Sequence, residues 1–444
     1  MGLVLKQQPY NYSFSKNNLL WRFHTTDGAL DGFFVQVILK AYKINSTDAP
    51  LEFTAKLPAD AGGFANFYLQ DIVDSMIDYE YPGTDMINVA QNIKKFKLQY
   101  RWISDVYTSN PYTTIATDFY IIKGGIETSK HDYNNYFANY HGVNKPFATW
   151  MPANGFVGLM DDFYISLLFT NNFTTPDTDA RMLRVIAEWT DSTTDTIDIN
   201  FPAVTGLYLL YHLKSGPEAL GINALAAGRK LYRYKLQVVN VTTPSTLYTE
   251  VYVFYIDYRS FYKTKLFTYF NSLGGIDYVR INGDTEEDYN RTYSEAETLK
   301  GFIDVSSRPD TLYTQTQITR YNSFKSDAGY RHVANQAIYL QELLMSTFIW
   351  VMINAYAVRV WLLNKGNKLV QNSDTKFNFP IEWRYGFTEQ VFTPTEVDFG
   401  IGDSFYGMTC PASVGTTNED QTGGIWRLAC DADIAEAIGY IFEY

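Results

Sequence analysis

Apolar and polar residues alternate along most of the first part of the chain. Trp21 and Phe23, the run Phe33 to Leu39, then Leu51, Phe53, Ala55 and Leu57, and later Phe96, Leu98, Tyr100 and Trp102 all recur with period two. That is the repeat of a pleated strand with one buried face. Gly62-Gly63 and Ser109-Asn110-Pro111 interrupt the pattern where turns are needed, and Tyr112 to Ile122 adds another strand. About six or seven strands in residues 1–126 predict an antiparallel β-sandwich.

The pattern then recurs in outline. DDFYISLLFTNN (161–172) answers NNLLWRFHTTDG (17–28), and DTIDINFPAVTGLYLLYHL (195–213) answers LEFTAKLPADAGGFANFYL (51–69). KLYRYKLQVVNV (230–241) answers KKFKLQYRWISDV (94–106), and YTEVYVFYIDYRSF (248–261) answers YTTIATDFYIIKGG (112–125), all in the same order. A second sandwich of similar topology is therefore expected over 161–286, an internal duplication that extends a structural surface. Residues 127–160 read as an interdomain connection, packed on the surface through Phe147 and Trp150 rather than free, because Gly/Ser flexibility is absent.

Beyond residue 286 the character changes. EEDYNRTYSEAETLK reads as a polar region, short Thr-rich strands are expected around Thr311 to Thr319, and Val333, Ala337, Leu340 and Leu344 share a helical face, predicting a helix over Arg331 to Met345. Strands follow at Phe348 to Leu363 and Phe377 to Phe387. The expected fold class is mainly β: two tandem antiparallel sandwiches, an α+β domain over 287–395, and an irregular extension over 396–444 with a short helix at Asp433 to Ile438.

Composition sharpens this picture. With 36 Tyr and 30 Phe the aromatic share is 17%, against 19% charged residues, a balance that suits sheets and large interfaces. The net charge of -12 opposes nucleic-acid binding, which needs clustered Lys and Arg. Lys94-Lys95 is the nearest approach to a basic cluster and is expected to keep a strand edge solvated. MGLVLKQQPYNYSFSKNNLL lacks the apolar stretch and cleavage site of a signal peptide, and also the Ser or Thr of a myristoylation motif. Leu343 to Val358 carries no formal charge but is shorter than the roughly 20 residues of a bilayer span, and reads as a buried helix end followed by a buried strand.

Candidate chemistry is sparse. None of the five histidines, His24, His131, His141, His212 and His332, belongs to a G-x-S-x-G or H-E-x-x-H motif, and His131 and His141 with Asp132 have no metal-ligand spacing. Gly62-Gly63, Gly124-Gly125, Gly274-Gly275 and Gly423-Gly424 lack a phosphate-cradling arrangement and read as turns needing positive φ. The acidic sets Asp191, Asp195, Asp198 and Asp284, Glu286, Glu287, Asp288 lack EF-hand order and read as solvated loops. Cys410 and Cys430, in MTCPA and LACDA, have no neighbouring base; one disulfide across the C-terminal extension is the alternative to the free thiols expected here. No catalytic, cofactor or metal residue is nominated, and no cofactor is expected. Trp150, Trp350, Trp383 and Trp426 are conceivable interface anchors, with core packing the competing role.

Four motifs carry a resemblance: YIIKGGI (120–126), PFATWMP (146–152), FNSLGG (270–275), whose NSLGG joins two aromatic strand patterns over Lys265 to Glu286, and YLQELLMSTFIWV (339–351) running on to KGNKLVQNSDTKFNFPIEWRYGF (365–387). In this order they resemble a family of tail and baseplate structural proteins from tailed phages and prophages of Bacteroidetes, crAss-like phages included. The resemblance spans most of residues 1–390. It implies a non-enzymatic virion protein of the tail, baseplate or collar, made in the host bacterial cytoplasm. Its partners would be copies of itself in a ring and other tail or baseplate proteins, with no direct nucleic-acid contact and no membrane span. The rival expectation is a glycan- or receptor-binding β-sandwich protein, and a third is a β-rich glycoside hydrolase with two opposed carboxyl groups.

Overall fold

Alternation becomes sheet wherever two runs pair. The computed structural model describes residues 2–25, 33–44, 46–104, 111–127, 137, 147–170, 181–201, 208–259, 264–283, 285–297, 313–332, 340–353, 356–364, 376–386, 418–419 and 425–426. It divides into two compact units, Met1–Asn290 with Tyr321–Phe387, and Arg291–Arg320 with Thr388–Tyr444. The fold is mainly β.

In the first unit, strands β1 (Leu3–Gln7), β3 (Leu20–Thr25) and β6 (Phe64–Tyr68) form a sheet in the order β1-β3-β6. A larger sheet holds β2 (Tyr12–Phe14), β10 (Phe119–Ile122), β8 (Ile93–Ser104), β4 (Phe33–Lys43) and β5 (Leu51–Pro58) in the order β2-β10-β8-β4-β5, with β9 (Thr113–Thr114) on β8. Every second residue of β4, Phe33, Val35, Val37 and Leu39, joins Trp21, Phe23, Phe67, Phe96 and Leu98 in one core. The helix α1 (Gln70–Met76), which period-two reading missed, adds Val73 to that core.

The duplication holds at the level of topology. A second large sheet runs β11 (Asn154–Val157), β17 (Tyr252–Ile256), β16 (Leu231–Asn240), β13 (Arg181–Trp189), β14 (Thr194–Asn200), which is the order of the first with each strand replaced by its counterpart. Even the parallel pair recurs, β2 on β10 and β11 on β17, in otherwise antiparallel sheets. The small sheets correspond through β3 and β6 against β12 (Tyr164–Thr170) and β15 (Tyr208–Lys214). They differ in the third strand. In the second copy this is β7 (Ile87–Val89), reaching over from the first copy to pair with β15.

A seven-stranded sheet follows in the order β19 (Ile276–Ile281), β18 (Lys265–Phe270), β22 (Ile349–Ile353), β23 (Tyr356–Leu362), β24 (Lys376–Tyr385), β21 (Tyr313–His332), β20 (Thr285–Glu297). The unit boundary falls within β20 and β21. Phe267, Tyr269, Val279, Ile349, Val351 and Trp383 form its core with Leu340 and Leu343 of a helical turn over 340–345. The second unit also holds the short pair β25 (Asn418–Glu419) and β26 (Ile425–Trp426).

Several expectations are corrected. The helix expected from Arg331 begins, among the described residues, at Leu340, because Arg331 and His332 pair with Phe377 and Lys376 as the end of β21. The short Thr-rich strands are one strand of 20 residues, and the polar run after Glu286 is the 13-residue β20, since a cross-strand partner suffices where Thr and Tyr supply β-propensity. The connection over 127–160 is no surface strap: Phe147 is buried in the second core, and Asn154–Val157 supplies a strand of the sheet beside it. The hairpin β18–β19, expected within 161–286, pairs with β22. Lys94 keeps no edge solvated, as β8 lies between β10 and β4 and Lys94 is buried. His131, His141, Asp132, Asp284, Cys410, Cys430, Gly423-Gly424 and the helix expected at Asp433 to Ile438 lie outside the described residues.

Candidate functional site

Parts of the four quoted motifs, from residues 120–126, 146–152, 270–275 and 339–351, meet at the turn Asn271–Gly275 between β18 and β19. Within the turn, Asn271 Oδ1 accepts from the N–H groups of Leu273 and Gly275, each at 2.9 Å. Its Nδ2 donates to the Ala148 carbonyl at 2.9 Å, tying the turn to PFATWMP. Gly274 takes φ 76°, a left-handed conformation that favours glycine, and its carbonyl accepts from Asn92 Nδ2 at 2.6 Å. Gly125 of YIIKGGI donates to the Ser272 carbonyl at 2.8 Å.

Ser272 faces the helical turn and the tryptophan. Its N–H and Oγ donate to Glu342 at 2.7 and 2.9 Å, and its Oγ accepts from Trp150 Nε1 at 2.8 Å. Trp150 is thus a buttress of this joint. Trp350 is buried in an aromatic cluster with Phe270 and Tyr164, while Trp383 is fully buried, stacks on Phe324 and donates to Ser326. These three tryptophans therefore pack internally.

Two further polar groups are sealed in the same place. Asp277 is fully buried; Thr149 Oγ1 and the Trp150 N–H donate to its carboxylate. Burial, with a smaller push from Glu342, raises its pKa to about 7 against the bonds from Thr149 and Asn271. Burial likewise raises Glu342, opposed by the Ser272 bonds and by Lys16. Ser166 Oγ accepts from the Ile276 N–H at 2.7 Å and contacts His212 Nδ1 at 2.8 Å, a direct cross-strand pair of β12 and β15. Serine beside histidine suggests a nucleophile, but both are buried and the serine oxygen is engaged by a main-chain N–H, so a substrate has no approach to it.

The segment after α1 interlocks the parts. Tyr79 packs on Phe270 and Phe348, Tyr81 on Trp350 and Tyr164, and burial raises both phenols, Tyr81 to about 12. The end of α1 is held by cations: Lys94 Nζ donates to the Met76 carbonyl, and Lys123 Nζ donates to the Asp74 carbonyl at 2.8 Å. Burial lowers the Lys94 pKa.

The acidic positions of the first set are engaged by protein groups. Asp198 pairs with Arg184 at 2.8 Å, Asp195 with Arg229 at 2.5 Å, and Asp191 accepts from Thr193 within its own turn. Among the described residues no cluster of three or more His, Cys, Asp or Glu is placed to hold a metal ion, and no helix is long and apolar enough to cross a membrane. On the large sheet of the second sandwich, Phe156, 65% exposed, packs against Tyr255 at 5.7 Å, and Tyr255 against Tyr232, itself 50% exposed. Arg233 lies in register with Tyr255 and Glu188, with which it pairs. Sequence reading named none of these; strand alternation marks their outward face, but only the sheet order sets them side by side.

No protein-family profile and no characterised protein sequence matches the chain. Among solved structures, the calcium binding domain CBD12 of CALX1.1 is similar at 8% identity and a TM-score of 0.17, covering 54% of this chain and 79% of that one. The native conformation of E. coli alpha-2-macroglobulin gives 9% identity and 0.20, covering 73% and 21%, and the plexin A4 extracellular region gives 10% and 0.16, covering 57% and 24%. Likenesses this slight carry no argument about this chain.

Proposed function

We propose that this chain is a non-enzymatic structural protein of a tailed-phage particle, part of its tail, baseplate or collar, assembling with copies of itself in a ring. The observation that carries the reading is the Asn271–Gly275 joint, where the motifs of the resemblance bind one another. Their polar groups are spent on internal hydrogen bonds rather than turned to a cleft. Such a joint suits a component that must keep its shape in an assembly. The aromatic row Phe156, Tyr255 and Tyr232 offers the large, stiff side chains that anchor protein interfaces, and a ring needs a heterologous contact that closes by rotation. The acidic net charge fits protein rather than nucleic-acid partners.

Native mass by light scattering, followed by negative-stain imaging, tests this. A closed ring supports the reading, and a monomer that also fails to enter tail-sized complexes overturns it. The exposed aromatic row equally favours a second reading, a glycan- or receptor-binding sandwich. A glycan array separates the two, because Phe156→Ala would then abolish glycan capture with no change in native mass.

A further inference from the structure

We propose that the aromatic row Phe156, Tyr255 and Tyr232 of one copy docks on the outward face of the small sheet β1-β3-β6 in the next copy, around Phe64 and Tyr68. This docking presupposes the ring and gives it a contact.

The chain already contains a contact of this kind. Tyr12, Phe14, Ile93 and Ile122 point out of the first sandwich's own core and share one buried cluster with Leu168 and Leu210, which point out of the core of the second. β7 reinforces the junction by adding to β15. Because the sandwiches are duplicates, each half of the junction has a counterpart. Phe156 and Tyr255 are cross-strand partners on β11 and β17 with ring centroids 5.7 Å apart, as Tyr12 and Tyr120 are on β2 and β10 at 5.8 Å. Arg233 lies in register with Tyr255 as Lys95 does with Tyr120. The Leu168–Leu210 pair of β12 and β15 corresponds to His24 and Phe64, cross-strand partners on β3 and β6.

Both counterparts are bare. Tyr12 is 3% exposed where Phe156 is 65% exposed, so one position is covered in the first sandwich and open in the second. Among the described residues β6 ends its sheet, with Tyr68 59% exposed, whereas β15 carries β7. An array that stops needs polar outer faces on its terminal units, yet both open ends carry large aromatic side chains. Their chemistry is complementary. The Arg22 guanidinium lies over the Phe64 ring, 4.0 Å from its centroid, so the face offers a cation and rings to the rings of Phe156 and Tyr232. The two surfaces differ, so the contact is head-to-tail and can close by rotation.

Light scattering on two variants tests this. Phe156→Glu and Tyr68→Glu, at exposed positions, should each leave Tm unchanged and reduce the wild-type assembly to a monomer. Mixed in equal amounts they should form a two-chain species, because the intact aromatic row of the second variant meets the intact face of the first. In the wild type, hydrogen exchange at β6 and β11 should slow between dilute and concentrated protein. An assembled wild type whose mass neither variant lowers overturns the docking and leaves the ring standing. Monomeric variants that do not pair in the mixture, or exchange unchanged at both strands in an assembled wild type, overturn it equally. A wild type monomeric at every concentration overturns the docking and the ring together.

Discussion

Gly275 sits so close to Ala148 that a Cβ built on it would lie 1.8 Å from the Ala148 carbonyl oxygen. That oxygen belongs to main chain already held by Asn271 Nδ2 and by the bond from the Ala148 N–H to the Ser166 carbonyl, so it has no direction in which to yield. Gly275→Ala should therefore cost about 3 kcal/mol, the upper range for overpacking a closed interior. Urea unfolding monitored by tryptophan fluorescence measures this; a loss below about 0.5 kcal/mol, the scatter of neutral surface changes, would mean the joint is soft.

Asn271→Ala removes an acceptor from two main-chain N–H groups and a donor from the Ala148 carbonyl, all buried. Groups left unsatisfied cost about 1–3 kcal/mol each, though the turn can relax, so a total near 3 kcal/mol is expected. Hydrogen exchange should quicken at Leu273 and Gly275 before it does so in β4 and β8. Uniform acceleration through the chain would argue against a local role.

Asp277 makes stability depend on pH. Its folded pKa, about 7, lies above its ordinary value of 3.8, so between these values the folded chain holds a proton that the unfolded chain has released. The stabilisation is complete below about pH 4 and is lost as pH rises through 7. Glu342, also raised, contributes with the same sign. Asp277→Asn should flatten the fall in unfolding free energy between pH 4.5 and 7.5, leaving the part due to Glu342. Parallel curves for the two proteins would show that Asp277 titrates normally.

Lys94→Met keeps the apolar stem but removes the ammonium from the Met76 carbonyl at the end of α1. A hydrogen bond from a charged donor is worth about 1.5–3 kcal/mol, offset here by relief of the desolvation that lowers the lysine pKa, so a net loss of about 1 kcal/mol is expected. Chemical denaturation reads the total, and faster exchange at Val73 and Ile77 should localise it. No change in either would assign the helix end to Lys123 alone.

Much of the sandwich architecture was legible in the alternation of Trp21, Phe23, Val35, Val37 and Leu39 and in its recurrence after residue 160, because a strand with one buried face writes its period directly into the chain. The duplicated order emerged the same way, and Gly63 and Gly274 were recognisable as turn glycines because their left-handed conformations exclude most other residues. What the chain could not announce is what joins the parts. Lys94 looks like a surface charge until α1 places a carbonyl before it, and β7 has only three residues, too few to show a period. β20 is polar throughout and becomes a strand because β21 pairs with it. Asp277 and His212 carry no local signature at all, since their burial and partners come from Thr149 and Ser166, more than forty residues away in the chain, and the NSLGG turn that Asn271 closes locally does not announce its bond to Ala148. Periodicity is a property of neighbours in sequence and determined the strands; desolvation and hydrogen-bond partnership are properties of neighbours in space, and only the tertiary structure decided the joint and its raised carboxyl groups.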